Sequence, residues 1–182
     1  MRQLAAGIII MCASLVYGQG NTIYLCENGK VNFISDAPLE IIKADSDELI
    51  GVLNTAERSF SFRVASRSFE GFNSSLQRTH FNEDYMESER FPNSTFKGKI
   101  IEEVDLSKPG TYSVRAKGVL TIHGVSFDRI IRSNIEVTNN RIDVNSDFTV
   151  FIDDHDITIP SILNKKIAEE ISVKIKLTLQ PR

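Results

Sequence analysis

The stretch Ile171-Ser172-Val173-Lys174-Ile175-Lys176-Leu177-Thr178-Leu179-Gln180 alternates apolar and polar residues without a break. Successive side chains of a strand point to opposite faces, so this pattern buries one face and wets the other. The same period returns elsewhere. Tyr112, Val114, Ala116, Leu120 and Ile122 alternate with Ser113, Arg115, Lys117 and Thr121, and Phe60, Phe62 and Val64 with Ser59, Ser61 and Arg63. Ile142, Val144, Phe148, Val150 and Ile152 do so against Arg141, Asp143, Asp147 and Thr149. A one-faced pattern repeated this often belongs to an antiparallel sheet. It excludes a doubly wound parallel sheet, whose strands are buried on both faces.

Between these runs lie turn signals. Asn28-Gly29 stands between Thr22–Glu27 and Lys30–Ser35, and Asn139-Asn140 between Val125–Thr138 and Arg141–Asp153. Both pairs tolerate the positive φ of tight hairpins. Pro109-Gly110 turns the chain from Lys97–Leu106 into Thr111–Ile122. Sequential hairpins build a meander, and a meander of about eight strands with one apolar face closes into a barrel, which removes its exposed edges.

Composition sets the bounds. A chain of 182 residues, 41% apolar and 25% charged, suits one domain with a sizeable core. A net charge of −3 argues against a phosphate-neutralising surface and so against nucleic acid as a partner. The start is set aside from the fold. Arg2 precedes the mostly apolar run Leu4 to Val16, and Val16-Tyr17-Gly18 offers compact residues before Gln19. This reads as a signal peptide over residues 1–18, too short to be a membrane span, leaving a mature domain over 19–182. Ile9-Ile10-Met11 lacks the small residues expected before a lipidated Cys12, so soluble export to the periplasm or beyond is expected rather than anchoring. Cys12 leaves with the leader, and Cys26 alone remains, so no intrachain disulfide is expected. Cys26 reads as a small apolar residue near a strand end.

Two segments depart from period two. Asn82 to Arg90 reads as a short helix, with Asn82 as its cap, Glu83 and Asp84 at its positive end, and Pro92 beyond it. Phe81 and Tyr85, four apart, share one face. Ser161 to Glu170 follows Pro160 and sets Lys166 and Glu170 at helical spacing, predicting a second short helix.

Chemistry-bearing clusters are few. Asp153-Asp154-His155-Asp156 combines carboxylates with an imidazole, a set able to hold a metal or move protons. Four consecutive residues at a strand end point in different directions, however, so a solvated terminus is the expected reading. His123, on the polar side before Gly124, reads as a turn residue, and His80 precedes the helix. There is no Gly-x-Ser-x-Gly, phosphate-cradling loop or dinucleotide fingerprint. Asn73-Ser74-Ser75 and Asn93-Ser94-Thr95 match a glycosylation pattern that arises readily by chance. Phenylalanine stands out: of eleven, Phe60, Phe62, Phe69, Phe72, Phe81, Phe91 and Phe96 crowd one third of the chain. A small barrel fills its interior with side chains or holds a ligand there, and composition leaves both open.

His80-Phe81-Asn82-Glu83-Asp84-Tyr85-Met86-Glu87-Ser88, with Phe91-Pro92 and Thr95-Phe96-Lys97-Gly98 after it, resembles the signature of the YceI-like family. So do Gly118-Val119-Leu120-Thr121-Ile122-His123-Gly124-Val125 and the ending Ile157-Thr158-Ile159-Pro160, and the similarity runs from about Lys30 to Leu179. The resemblance implies a lipocalin-like, eight-stranded antiparallel barrel of all-β class, exported by a bacterium, with a long apolar chain inside. Two departures are His155, where relatives more often carry an aromatic residue, and the lack of a Trp near the start.

The resulting expectation is a protein that carries a polyisoprenoid or fatty-acid-like lipid, with no catalysis, no cofactor, no metal and no stable membrane insertion. Phe60, Phe62, Phe69, Phe72, Phe81, Tyr85, Phe96, Tyr112, Val114 and Phe148 are the expected lining, with Phe81 and Tyr85 at the mouth. The rivals are a small enzyme or metal protein using His123, His80 or Asp153–Asp156, and a filled barrel that serves only as an interaction module.

Overall fold

The computed structural model describes residues 22–182, so the expected leader over 1–18 lies outside the described residues. Eight strands follow in order: β1 Ile23–Ala37, β2 Glu40–Asn54, β3 Ser59–Ala65, β4 Asn93–Ile100, β5 Gly110–Ile122, β6 Val125–Val137, β7 Ile142–Phe151 and β8 Glu170–Pro181. Each is antiparallel to its neighbours in sequence, and β8 returns to pair with β1, closing the barrel. The alternation that predicts a meander thus produces one, in which each described strand pairs with a neighbour on both sides.

Two turns follow their sequence signals. His123-Gly124 joins β5 to β6 with both residues at positive φ, 50° and 75°, the geometry that matches strand twist in a two-residue hairpin. Residues 138–141 join β6 to β7, with Thr138 N–H donating to the Arg141 carbonyl at 2.9 Å. Pro109-Gly110 leads into β5 as expected, although β4 ends at Ile100 and the Lys97–Leu106 run is not all strand.

Asn28-Gly29 is not a turn. β1 runs through it, and the hairpin to β2 is made by Pro38-Leu39. Pairing with β2 slips on both sides of Gly29, and pairing with β8 slips between Leu25 and Lys30. The extra residues are taken up as a bulge, which sharpens the local twist where the sheet closes on itself.

The curvature has a second source on the far wall. Gly98 and Gly118 face each other across β4 and β5. A Cβ on Gly98 would lie 2.1 Å from the Lys117 carbonyl oxygen, and one on Gly118 2.2 Å from that of Lys97. The two strands approach and coil as only glycine permits.

The helical expectations shift. The helix, α1, is Ser75–His80, capped by Ser74, whose hydroxyl accepts from Gln77 N–H at 3.2 Å. It runs into a π-helical turn, Phe81–Tyr85. Asn82 is therefore no cap. Its amide donates to the Arg78 carbonyl at 2.9 Å and accepts from the Ser88 hydroxyl at 2.8 Å, securing the end of the turn instead. Ser161 to Glu170 forms only one 3-10 turn, Ser161–Leu163, and Glu170 already opens β8. Its backbone is tied to the barrel rim: Leu39 N–H donates to the Lys165 carbonyl at 2.8 Å and Ala168 N–H to the Ser35 hydroxyl at 2.9 Å. Those bonds satisfy groups that a longer helix would have paired internally.

The two ends of the barrel differ. At one, the β4–β5 loop folds across the opening. Glu102 accepts from Arg115 N–H at 2.6 Å, the Tyr112 hydroxyl donates to the Lys108 carbonyl at 2.9 Å, and Leu106 is buried beside Ile142 and Leu179. Leu106, Ile142 and Leu179 join the main apolar core there. The other end carries the Pro38-Leu39 turn, the segment 66–92 with α1, the His123-Gly124 turn and the segment 152–169.

Candidate functional site

An apolar cavity of about 610 Å³ occupies the barrel above the plugged end. That is within the range of small-molecule sites, about 300–1,000 Å³. Taking the roughly 30 Å³ of a liquid water as the size of one methylene, it accommodates on the order of twenty such groups.

All eight strands contribute inward residues to the wall, among them Val31, Leu49, Phe60, Phe96, Val114, Ile135, Val144 and Ile175. Of the ten residues expected to line it, Phe60, Phe62, Phe69, Phe72, Phe81, Tyr85, Phe96, Val114 and Phe148 do so. Tyr112 does not. Its hydroxyl reaches down to the loop carbonyls of Asp105 and Lys108, so the ring belongs to the plugged end. The phenol needs a polar partner, and the loop supplies one.

The aromatic residues form two groups. Phe33, Phe69, Phe72 and Phe81 meet near the mouth, with ring centroids 5.1 to 6.0 Å apart in the pairs Phe72–Phe81, Phe33–Phe69, Phe33–Phe81 and Phe33–Phe72. Deeper, Phe60 packs on Phe96 at 5.0 Å and on Phe62 at 5.9 Å. Phe33 was not among the expected residues, although it stands at strand spacing between Val31 and Ser35. That alternation carried the missing signal. Met86, Ile152 and Ile157 pack with Phe81 and Tyr85 as a second small cluster beneath the helical segment. Burial pushes the Tyr85 phenol up, and the charge of Asp84 adds to this.

Within the wall, polar groups are few, and some of them are paired. The Ser133 and Ser146 hydroxyls lie 2.6 Å apart at the last rung joining β6 to β7. Ser35 accepts from Ala168 N–H. Charged lining residues gather toward the open end: Glu40 begins β2, Arg63 stands near the end of β3, His80 ends α1, and Lys166 lies on the 152–169 segment. An interior of this kind favours an apolar occupant with few orienting contacts.

Above the Ser133–Ser146 rung, β6 and β7 separate, and side chains bridge them. Arg129 donates to the Thr149 carbonyl and lies 3.6 Å from an Asp154 carboxylate oxygen. His155, in the 3-10 turn Ile152–His155, donates from Nδ1 to the Val125 carbonyl at 3.1 Å and is 1% exposed. The Asp153–Asp156 stretch is therefore not a wholly solvated terminus: His155 turns inward while Asp154 serves Arg129. Burial is the main cause holding the His155 imidazole below its usual pKa, against the opposing hydrogen bond to Val125.

His123 also has partners. Its Nδ1 lies 3.1 Å from the His155 carbonyl and its Nε2 3.0 Å from Glu87 Oε1, so it joins the hairpin turn to both covering segments. The hydrogen bond from His123 holds the Glu87 carboxyl below the usual carboxylate range. His80 pairs with Asp84 at 2.5 Å. Each histidine thus has a local partner, and among the described residues no three His, Cys, Asp or Glu converge as a metal site. Cys26 is buried, with its thiol 3.4 Å from the Leu49 carbonyl, and burial pushes that thiol up. Among the described residues no helix is long and apolar enough to cross a membrane.

Similar structures share this architecture. A polyisoprenoid binding domain from Saccharophagus degradans, implicated in plant cell wall breakdown, superposes with a TM-score of 0.75 at 16% identity, covering 90% of this chain and 100% of that one. BcnA of Burkholderia cenocepacia gives 0.67 at 14% identity over 82% and 95%. The YCEI protein of Campylobacter jejuni gives 0.58 at 16% identity over 74% and 81%. At these identities the likeness establishes the fold. No curated protein sequence matches the chain. The family model of the YceI-like domain matches residues 30–179, nearly the whole barrel, and the chain belongs to the YceI-like family.

Proposed function

We propose that the protein is an exported lipid-binding barrel that sequesters or carries one long apolar chain, polyisoprenoid or fatty-acid-like, in the periplasm or outside the cell. The cavity carries this reading: it is walled by apolar side chains from all eight strands, with the Ser133–Ser146 pair and a few polar groups toward its mouth as the exceptions. The binding is burial. Each methylene withdrawn from water contributes about 0.8 kcal/mol, so a long chain binds tightly without a polar anchor. The polyisoprenoid-binding domain with the same fold supports the ligand class, and the apolar run behind Arg2 supports export. Among the described residues no acid, base and nucleophile converge on the cavity.

The test is direct. Protein purified from its native compartment is extracted with organic solvent, and the extract is analysed by mass spectrometry. A stoichiometric long-chain lipid is expected. Phe62→Asp, which sets a charge in the wall, is expected to abolish uptake of an apolar fluorescent dye. A lipid-free extract together with unchanged dye uptake in Phe62→Asp would overturn the proposal.

A further inference from the structure

Low in the cavity the apolar wall is broken by one pair of hydroxyls. Ser133 on β6 and Ser146 on β7 stand opposite each other, each 8% exposed, and both line the cavity. They lie two inward-facing levels above the Val137–Ile142 pair of the plugged end. Across the adjoining strands the same level is apolar. Val114 lies opposite Ser133 on β5, Ile175 opposite Ser146 on β8, and Val31 opposite Ile175 on β1. On β6 and β7 themselves the neighbouring levels are apolar too, with Ile131 and Phe148 above and Ile135 and Val144 below. Two serines thus stand where the alternation calls for aliphatic side chains.

Their hydrogens do not balance. The two oxygens lie 2.6 Å apart, and one O–H donates to the other. Among the described residues that is the only bond either hydroxyl makes, so one O–H hydrogen is left over. Taking a hydroxyl out of water without a partner costs free energy, so a buried group of this kind calls for one. The leftover hydrogen belongs to the hydroxyl that already accepts a bond, and accepting a bond makes it a stronger donor. Charge restricts what can take it. Glu40, Arg63, His80 and Lys166 line the cavity toward its open end, and among the described residues no cation lines it at the level of the pair. A carboxylate or phosphate buried there would stand unpaired, whereas an uncharged oxygen exchanges one hydrogen bond for another.

We propose that the Ser133–Ser146 pair is a recognition subsite for one uncharged oxygen of the cargo. The bound chain is then a long-chain ketone, ester, amide or alcohol, its polar atom low in the barrel and its hydrocarbon running toward the mouth. The inference rests on the cavity holding an apolar chain. The leftover hydrogen donates to the cargo oxygen, and the apolar levels on either side bury what is attached to it. A plain hydrocarbon gains the same burial but leaves the hydrogen unpaired, so the pair discriminates between chains of equal length. The ladder between β6 and β7 gives the pair no separate reason to be polar. At its next cavity-facing level Ile135 stands opposite Val144, and aliphatic side chains serve there.

The experiment uses full-length mature protein freed of bound lipid on a hydrophobic resin. Diphenylhexatriene, a fluorescent hydrocarbon without polar atoms, reports on the cavity. Hexadecane, hexadecanone with its carbonyl next to the chain end, and hexadecanoate displace it in the wild type and in Ser133→Ala/Ser146→Ala. The double substitution is expected to weaken the ketone about tenfold, the share of one buried hydrogen bond, and to leave hexadecane, hexadecanoate and diphenylhexatriene unchanged. The infrared carbonyl stretch of the bound ketone is expected to lie lower in the wild type than in the double variant, a signature that a purely structural pair would not give. A ketone whose affinity and carbonyl stretch both ignore the substitution, in protein that still binds diphenylhexatriene, would overturn the proposal. Hexadecanoate weakened as steeply as the ketone would overturn the uncharged class. If the wild type binds neither the reporter nor any of the chains, the cavity reading falls and the subsite with it.

Discussion

Phe81 lies nearly parallel to Phe33, with ring centroids 5.5 Å apart and 21° between the planes, so the segment covering the mouth is fastened to β1 by ring stacking. Phe69 and Phe72 pack on the same pair. The cover is held by these ring contacts together with the His123–Glu87 contact and the paired backbone bonds between Asp45 and Glu70.

Phe81→Ala is expected to loosen this cover. Phe81 is only partly buried, so the loss of stability is expected to be about 2 kcal/mol, below the range for a fully enclosed phenylalanine. Release of a bound apolar dye is expected to quicken more than equilibrium affinity falls, because the ring closes the mouth as well as forming wall. Stopped-flow release beside chemical denaturation measures both. Unchanged release in the folded variant would show that the ring is no gate.

The Ser133–Ser146 pair provides a test by double-mutant cycle. Each single alanine variant leaves one hydroxyl without its partner and is expected to cost about 1 kcal/mol, while the double variant is expected to be close to neutral. Urea denaturation of the four proteins gives the coupling. Additive losses would mean that water or cargo already satisfies the hydroxyls.

His155 gives a pH dependence. Its folded pKa lies below the usual imidazole value, so the unfolded chain binds more protons, and stability rises with pH through this group. The contribution is complete above the unfolded value, near 6.5, and is lost as pH falls toward the folded value. Thermal unfolding between pH 8 and pH 5, roughly the range in which histidine titrates, is expected to show this fall. His155→Asn, which can keep a donor for the Val125 carbonyl, is expected to flatten it. An equally steep fall in the variant would assign the effect to another group.

Gly118→Val is expected to destabilise the barrel by about 3 kcal/mol, since the new side chain meets the Lys97 backbone where β4 and β5 coil most closely. The same substitution at Gly71, which sits in a loop with φ of 87°, would strain the backbone rather than crowd another strand. Urea midpoints compare the two. A Gly118→Val protein as stable as the wild type would remove the close approach as a source of curvature.

The sequence by itself determined the barrel. Alternation along Ile171–Leu179 and its counterparts sets which face of each strand is buried, and His123-Gly124 and Asn139-Asn140 lie at turns that local backbone preference favours. It also marked most of the aromatic wall, because inward residues repeat every second position. Tertiary structure decided the rest. Asn28-Gly29 has a strong hairpin signal, yet pairing with both β2 and β8 holds it inside a strand, and register is a property of three strands together. Residues 161–170 have helical spacing but give their backbone bonds to the rim. Tyr112 alternates with the wall but turns to loop carbonyls that are near only once the β4–β5 loop has closed one end. Cavity against solid core was likewise undecidable from the pattern. The same inward residues line both, and what separates them is how far the closed sheet holds its walls apart and that Leu106 fills one end alone.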